Sequence, residues 1–186
     1  MKVCTCLNPL HTFLAVSGCL LGYTLIADEM KDEDLLRLVK RLGYEEGLPV
    51  VVDPGIIKPK NFIDEVVNIR VPNPFMPDTP QRIACDTSQK LSIRFGETIK
   101  GYQKRSDLSL DSLEVIPLVE ALWLRYLMGI DDNGQKFELS PDPLLNEVCP
   151  VVANVKLGQK FDVHATVEPL LKRADIFGVH NLFAVR

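Results

Sequence analysis

Two short stretches of this 186-residue chain hold most of its usable chemistry. Lys2, Asn8 and His11 stand within the first eleven residues, and Arg82 and Lys90 flank the run 83–89. An amine, an amide and an imidazole are groups that move a proton or steady a developing oxyanion. A guanidinium and an ammonium are groups that hold an anion, the first in a fork and the second as a point charge. Asn8 and His11 are three apart and so share a helix face. Lys2, six before Asn8, falls on a different side of an uninterrupted helix, but Pro9 disrupts the turn before it and permits a kink or bulge. Arg94 and Glu97 read as a structural ion pair. Taken singly, each feature also has a plain structural reading: a histidine satisfied in a core, an Arg and a Lys on a solvated face.

The elements that must position these groups follow from period and punctuation. Asn8 and Pro9 suit a helix start as N-cap and first helical residue, and the uncharged stretch 9–27 predicts a deeply buried helix reaching about Met30. A chain end is normally mobile unless tied down. One that sets Lys, Asn and His against an apolar helix reads as a cut through a larger protein. A second helix is expected after Asp32, with Leu35, Leu38 or Val39, and Leu42 inward and Gly43 closing it. A third, over 59–69, should turn Phe62, Val66 and Ile69 inward. Four prolines between 71 and 80 forbid regular structure and make a stiff, shaped loop. Thr79-Pro80 then caps a short helix carrying Arg82, and a helix over about 87–104 buries Leu91, Phe95, Ile99 and Tyr102. The apolar run 111–128 contains Trp123 and either starts late or kinks at Pro117. A turn at 131–134, with a possible hairpin to 136–139, and helices near 143–149 and 163–173 complete a mainly α chain.

Several function classes fall away. The net charge is −4 with a pI near 5.4, so nothing favours nucleic acid or an anionic membrane. The stretch 9–27 approaches a membrane span in length. It is diluted by His11, Thr12, Ser17, Gly18, Gly22, Tyr23 and Thr24 and followed by Asp28-Glu29, which favours a core helix in a cytoplasmic protein. Five cysteines without a C-x-x-C pair argue for reduced thiols and against disulfides or zinc. There is no G-x-G-x-x-G, P-loop or H-E-x-x-H. Gly18 and Gly22 lie in an apolar helix, where glycine serves close packing.

Read together, three segments carry a resemblance: residues 2–23 (KVCTCLNPLHTFLAVSGCLLGY), 73–102 (NPFMPDTPQRIACDTSQKLSIRFGETIKGY) and 163–178 (VHATVEPLLKRADIFG). The chain resembles the C-terminal, substrate-binding domain of the mannitol dehydrogenase family of long-chain polyol and hexuronate dehydrogenases. Within it the chain is most similar to fructuronate and tagaturonate reductases. The resemblance implies a multi-helical fold similar to the C-terminal domain of 6-phosphogluconate dehydrogenase over residues 1–186. It also implies an N-terminal dinucleotide-binding domain that this chain lacks, so that the chain alone is expected not to turn over. The family's K-x4-N-x2-H motif maps onto Asn8 and His11, with Lys2 as the general acid–base at a spacing one residue longer. Arg82 and Lys90 match its substrate-gripping pair.

The chemistry so implied is hydride transfer between a nicotinamide cofactor (NAD or NADP, bound mainly by the missing domain) and a sugar acid or polyol. Lys2, with its pKa lowered by burial and nearby cations, would move the proton. Asn8 would donate to the alkoxide, His11 would orient the oxygen or Lys2, and Arg82 and Lys90 would grip a carboxylate or hydroxyl. No metal is called for. The competing expectation is an inactive helical module that keeps the fold and uses its exposed apolar surface to bind a partner or a second copy.

Overall fold

The computed structural model describes residues 7–53, 55, 58–180 and 182. Lys2, Cys4 and Cys6 lie outside them. The chain is mainly helical, as expected, and among the described residues the only strand-like pairing is an isolated antiparallel bridge between Ile130 and Lys136.

Helix α1 (Asn8–Leu21) is the central element, because it is apolar on nearly every side and so must be surrounded. Leu10, Phe13, Leu14, Ala15 and Val16 are fully buried. The helix stops about nine residues short of the expected end near Met30: Gly22 takes a left-handed conformation (φ 78°, ψ 20°) and the Tyr23 N–H closes onto the Gly18 carbonyl at 2.8 Å. The stretch expected to continue α1 holds a separate short helix, α2 (Ile26–Glu29). At Gly18 a side chain has no room, since a Cβ there would lie 2.3 Å from Glu29 Oε1 and 2.7 Å from Pro80 Cγ.

Helix α3 (Glu33–Lys40) begins as expected at Asp32, whose carboxylate accepts from the Asp34 and Leu35 N–H groups at 2.9 and 3.0 Å. Gly43 does not close it. The backbone widens into a π-helix (Arg41–Gly47) and then tightens through a 3₁₀ turn (Leu48–Val50). The widened turn carries Glu46 inward, where its carboxylate accepts from the Glu114, Val115 and Ile116 N–H groups at 2.8, 2.7 and 2.9 Å. Those three donors open α8 (Val115–Tyr126), so a buried carboxylate sits on the positive end of a helix dipole. Pro117 lies in the first turn of α8, where its missing N–H costs nothing.

Helix α4 (Pro59–Glu65) also passes into a π-helix (Val66–Arg70). The wider turn shifts the inward face by one position: Ile63, Val66 and Val67 are buried, whereas Ile69 is 65% exposed, contrary to the helical spacing. After the proline-rich loop, Thr79 Oγ1 accepts from the Arg82 N–H and caps α5 (Pro80–Ile83) as expected. The expected long helix is α6 (Thr87–Leu91), a π-helix (Ser92–Gly96) and α7 (Glu97–Gln103) end to end, with Leu91, Phe95, Ile99 and Tyr102 all buried. Helices α9 (Leu145–Val152), α10 (Val163–Leu171) and α11 (Ala174–Phe177) follow. Trp123 meets Phe177 edge-on at 5.8 Å, which joins α8 to α11. No helix among the described residues is long and apolar enough to cross a membrane.

Candidate functional site

The first two turns of α1 present Asn8, His11 and Thr12. Asn8 is not the N-cap. Leu7 already has right-handed helical dihedrals (φ −94°, ψ −52°) and no side chain caps the helix. The first turn is instead held from a distance. Arg94, on the Ser92–Gly96 π-helix, donates to the Asn8 carbonyl at 3.2 Å and to Thr12 Oγ1 at 2.5 Å, and Thr12 Oγ1 in turn donates to the Asn8 carbonyl at 3.1 Å. The expected Arg94–Glu97 pair is not formed. Glu97 pairs with Lys100 at 2.7 Å, while Arg94 reaches across the fold, where a half-buried guanidinium is worth more than on the surface.

Helix α5 packs directly on α1 and brings Arg82 with it. The Arg82 guanidinium bonds the Asp78 carboxylate, one turn earlier at the end of the proline-rich loop. That loop is fastened to α2 by the Ile26 N–H on the Asp78 carbonyl at 2.9 Å. Lys90, at the end of α6, folds back so that its ammonium donates to the carbonyls of Ile83 (3.2 Å) and Cys85. Its helix is fixed in turn by Asp142, which accepts from the Ser88 N–H at 2.8 Å and from Ser88 Oγ at 2.5 Å. Asp86 precedes α6 in the left-handed region at φ 53°, a conformation that Asp tolerates better than most residues.

His11 lies half-buried in a small concavity that it shares with Arg70, Met76 and Asp78. The concavity holds about 20 Å³, room for one water-sized group. Burial is the main cause that lowers the His11 pKa from its usual value; Asp78 opposes it, and Arg94, Arg70 and Arg82 lower it further. The imidazole is therefore neutral at pH 7 and can accept as well as donate a hydrogen bond. Burial also lowers the Lys90 pKa, with Arg94 adding to it and Asp86, Cys85 and Asp142 opposing.

Four of the five residues singled out in the sequence, Asn8, His11, Arg82 and Lys90, thus occupy one region of the molecule, linked through Arg94 and Asp78. Lys2 falls outside the described residues. Two cations of the region were not anticipated there, Arg94 and Arg70. Local spacing gave Arg94 a different partner, and Arg70 has no local signal beyond preceding the proline-rich loop. The region carries more positive than negative charge, which suits an anionic guest. Among the described residues no group of three or more His, Cys, Asp or Glu side chains gathers as a metal site. Cys19, Cys85 and Cys149 are free thiols, and burial pushes the Cys19 thiol up to about 12.

A family model described as mannitol dehydrogenase C-terminal domain matches residues 1–182. A D-mannonate oxidoreductase of Thermotoga maritima is 59% identical over 185 residues, covering 100% of this chain and 34% of that protein. The D-mannonate oxidoreductase of Escherichia coli is 29% identical over 141 residues, covering 76% of this chain and 28% of its own length. Among solved structures, a Pseudomonas fluorescens mannitol 2-dehydrogenase in ternary complex with NAD and D-mannitol aligns with a TM-score of 0.79 at 23% identity, covering 95% of this chain and 33% of that one. At that identity the likeness speaks for the fold. The chain spans about a third of the length of the curated relatives it matches.

Proposed function

Because this chain belongs to the mannitol dehydrogenase C-terminal domain family, an oxidoreductase family, we propose that it is the substrate-binding and catalytic domain of an NAD(P)-dependent enzyme. That enzyme would interconvert a hexuronate and its reduced hexonate, D-mannonate being the first candidate. The observation that carries this reading is the meeting of the α1 turn holding Asn8 and His11 with the cationic side chains from α5 and α6. One wall offers neutral donors and acceptors for a reacting oxygen. The other offers positive charge for the far end of an acidic sugar.

The nicotinamide, when bound, takes or gives the hydride at the carbinol carbon; the residues of this chain handle the oxygen. On oxidation the hydroxyl proton leaves to a base as the C–H bond breaks, and on reduction it returns. Lys2 is the proposed acid–base, six residues before Asn8. The Asn8 amide donates to the developing alkoxide, an interaction of about 3 kcal/mol where such donors are preorganised. His11, neutral, orients the oxygen between them. Arg82 and Lys90 hold oxygens at the other end of the substrate.

The test is a protein that joins this chain to an upstream dinucleotide-binding domain, assayed with D-mannonate and oxidised cofactor. Cofactor reduction is expected with the joined protein and not with the chain alone. Lys2→Ala should lower kcat by orders of magnitude while hexonate binding stays close to wild type. A normal kcat in that variant would remove Lys2 from the proton-transfer role.

A further inference from the structure

An imidazole has two nitrogens, and the reacting oxygen uses only one of them. Asn8, the donor proposed for the alkoxide, does not border the concavity of about 20 Å³ beside His11. The reacting oxygen therefore meets the ring at one edge, and the concavity serves the other. Three polar residues border it, His11, Arg70 and Asp78, while Leu7, Ile26, Val71 and Met76 close it with apolar surface. Among the described residues, neither the His11 ring nor the Arg70 guanidinium has a hydrogen-bond partner. Asp78 engages Arg82 through one carboxylate oxygen, Oδ1, and its Oδ2 has no described partner. Its backbone is pinned on both sides: the N–H bonds the Met76 carbonyl at 2.8 Å, and the carbonyl accepts from the Ile26 N–H at 2.9 Å.

We propose that this concavity is the site of one ordered water that joins His11 to Asp78 and Arg70, which makes Asp78 a positioning residue for the imidazole. This rests on the reading of His11 as the group that orients the reacting oxygen, and adds what orients His11. A bound water needs about 10–15 Å³ of such space and two to four polar partners. The concavity admits one water and not two, and its three polar residues supply the partners. The direction of each bond follows from the groups. A guanidinium only donates, so the water accepts from Arg70; a carboxylate only accepts, so the water donates to Asp78. Its second hydrogen then needs an acceptor, because a buried O–H left unpaired is costly. The remaining lining side chains are apolar, so that acceptor is the ring nitrogen facing the concavity. A nitrogen that accepts carries no proton, which fixes the tautomer: the N–H sits on the other nitrogen, directed at the reacting oxygen. Asn8 and His11 then donate to the same oxygen, the arrangement that a developing alkoxide favours.

Two measurements test this. A high-resolution crystal structure of the protein should show one water within hydrogen-bond distance of the His11 ring, Asp78 Oδ2 and the Arg70 guanidinium. Nitrogen-15 NMR of neutral His11 should show a single tautomer, unprotonated at the nitrogen that faces the water. Asp78→Ala should release the ring to a mixture of tautomers, and Asp78→Asn, whose amide oxygen can still accept, should fall between. Arg82→Gln breaks the same ion pair but leaves the carboxylate, so it should keep the wild-type tautomer. In a protein joined to its dinucleotide-binding domain, Arg82→Gln should act mainly on KM for D-mannonate. Asp78→Ala should in addition lower kcat by about tenfold to a hundredfold, the scale of a misplaced reacting group. A wild-type structure without that water, a ring N–H directed into the concavity, or an Asp78→Ala spectrum identical to wild type would each overturn the proposal. If the water and the single tautomer are present but the joined wild type turns over no D-mannonate, the water site stands and the hexonate reading falls.

Discussion

At Arg94 a local rule and a long-range interaction compete, and the long-range one prevails. A partner three residues away on an exposed helix face contributes a few tenths of a kcal/mol, while two hydrogen bonds from a half-buried guanidinium contribute about 1.5–3 kcal/mol each. Spacing alone therefore assigned the wrong partner. Asn8 and His11, by contrast, were legible as a shared face because three residues of one helix need no tertiary knowledge. Bringing Arg82 and Lys90 to the same region required the family likeness, and Arg70 was invisible because nothing local marks it. The Arg94 arrangement has a measurable electrostatic signature. Replacing it in Arg94→Met removes a positive charge that lowers the pKa of both His11 and Lys90. NMR pH titration should show both groups titrating higher in the variant, and a lower melting temperature should report the lost anchor on α1. An unmoved His11 titration would mean that the guanidinium is too well screened to act on the imidazole.

Among the elements, the helices were readable from apolar spacing and caps, as at Asp32 and Thr79, but their internal geometry was not. A π turn differs from an α turn by a single residue of register, and the composition of 41–47, 66–70 and 92–96 carries no mark of it. The tertiary demands that favour it come from elsewhere in the chain: the open N-terminus of α8 needs Glu46, and the α1 turn holds Arg94. Glu46→Ala strips three N–H groups, two of them buried, of their acceptor, so it should destabilise the fold by about 3 kcal/mol or more, read from urea unfolding. Glu46→Gln, which keeps one acceptor oxygen, should cost less. Gly18→Ala tests the contact of α1 with α2 and α5. Its Cβ would overlap Glu29 and Pro80, and overpacking of this kind costs about 1–3 kcal/mol. A neutral outcome there would show that the Glu29 side chain can swing aside.

Over the whole molecule, two buried carboxyls set the response to pH. Burial raises the Glu29 pKa to about 9, against a weak hydrogen bond from Ser17 that lowers it. Burial raises that of Glu120 to about 8, and neither Glu120 oxygen has a partner among the described residues. Unfolded, both would ionise near 4.5. Between these limits the native state holds protons that the unfolded state has released, so their contribution to stability falls as pH rises and levels off above about 9. His11 and Lys90, with their lowered pKa values, act in the opposite sense, His11 below its usual 6.5, so the carboxyl response is read between pH 7 and 9. Urea midpoints should decrease across that range, and the double variant Glu29→Gln, Glu120→Gln should flatten the slope. A flat wild-type profile would mean that these carboxyls reach water. The bond from Arg94 to Asn8 spans 86 positions of sequence, and it bears on recombination between relatives. The opening turn of α1 and the segment that steadies it are inherited as one unit, so a chimera that exchanges only one of them should fold yet hold its reacting groups out of line.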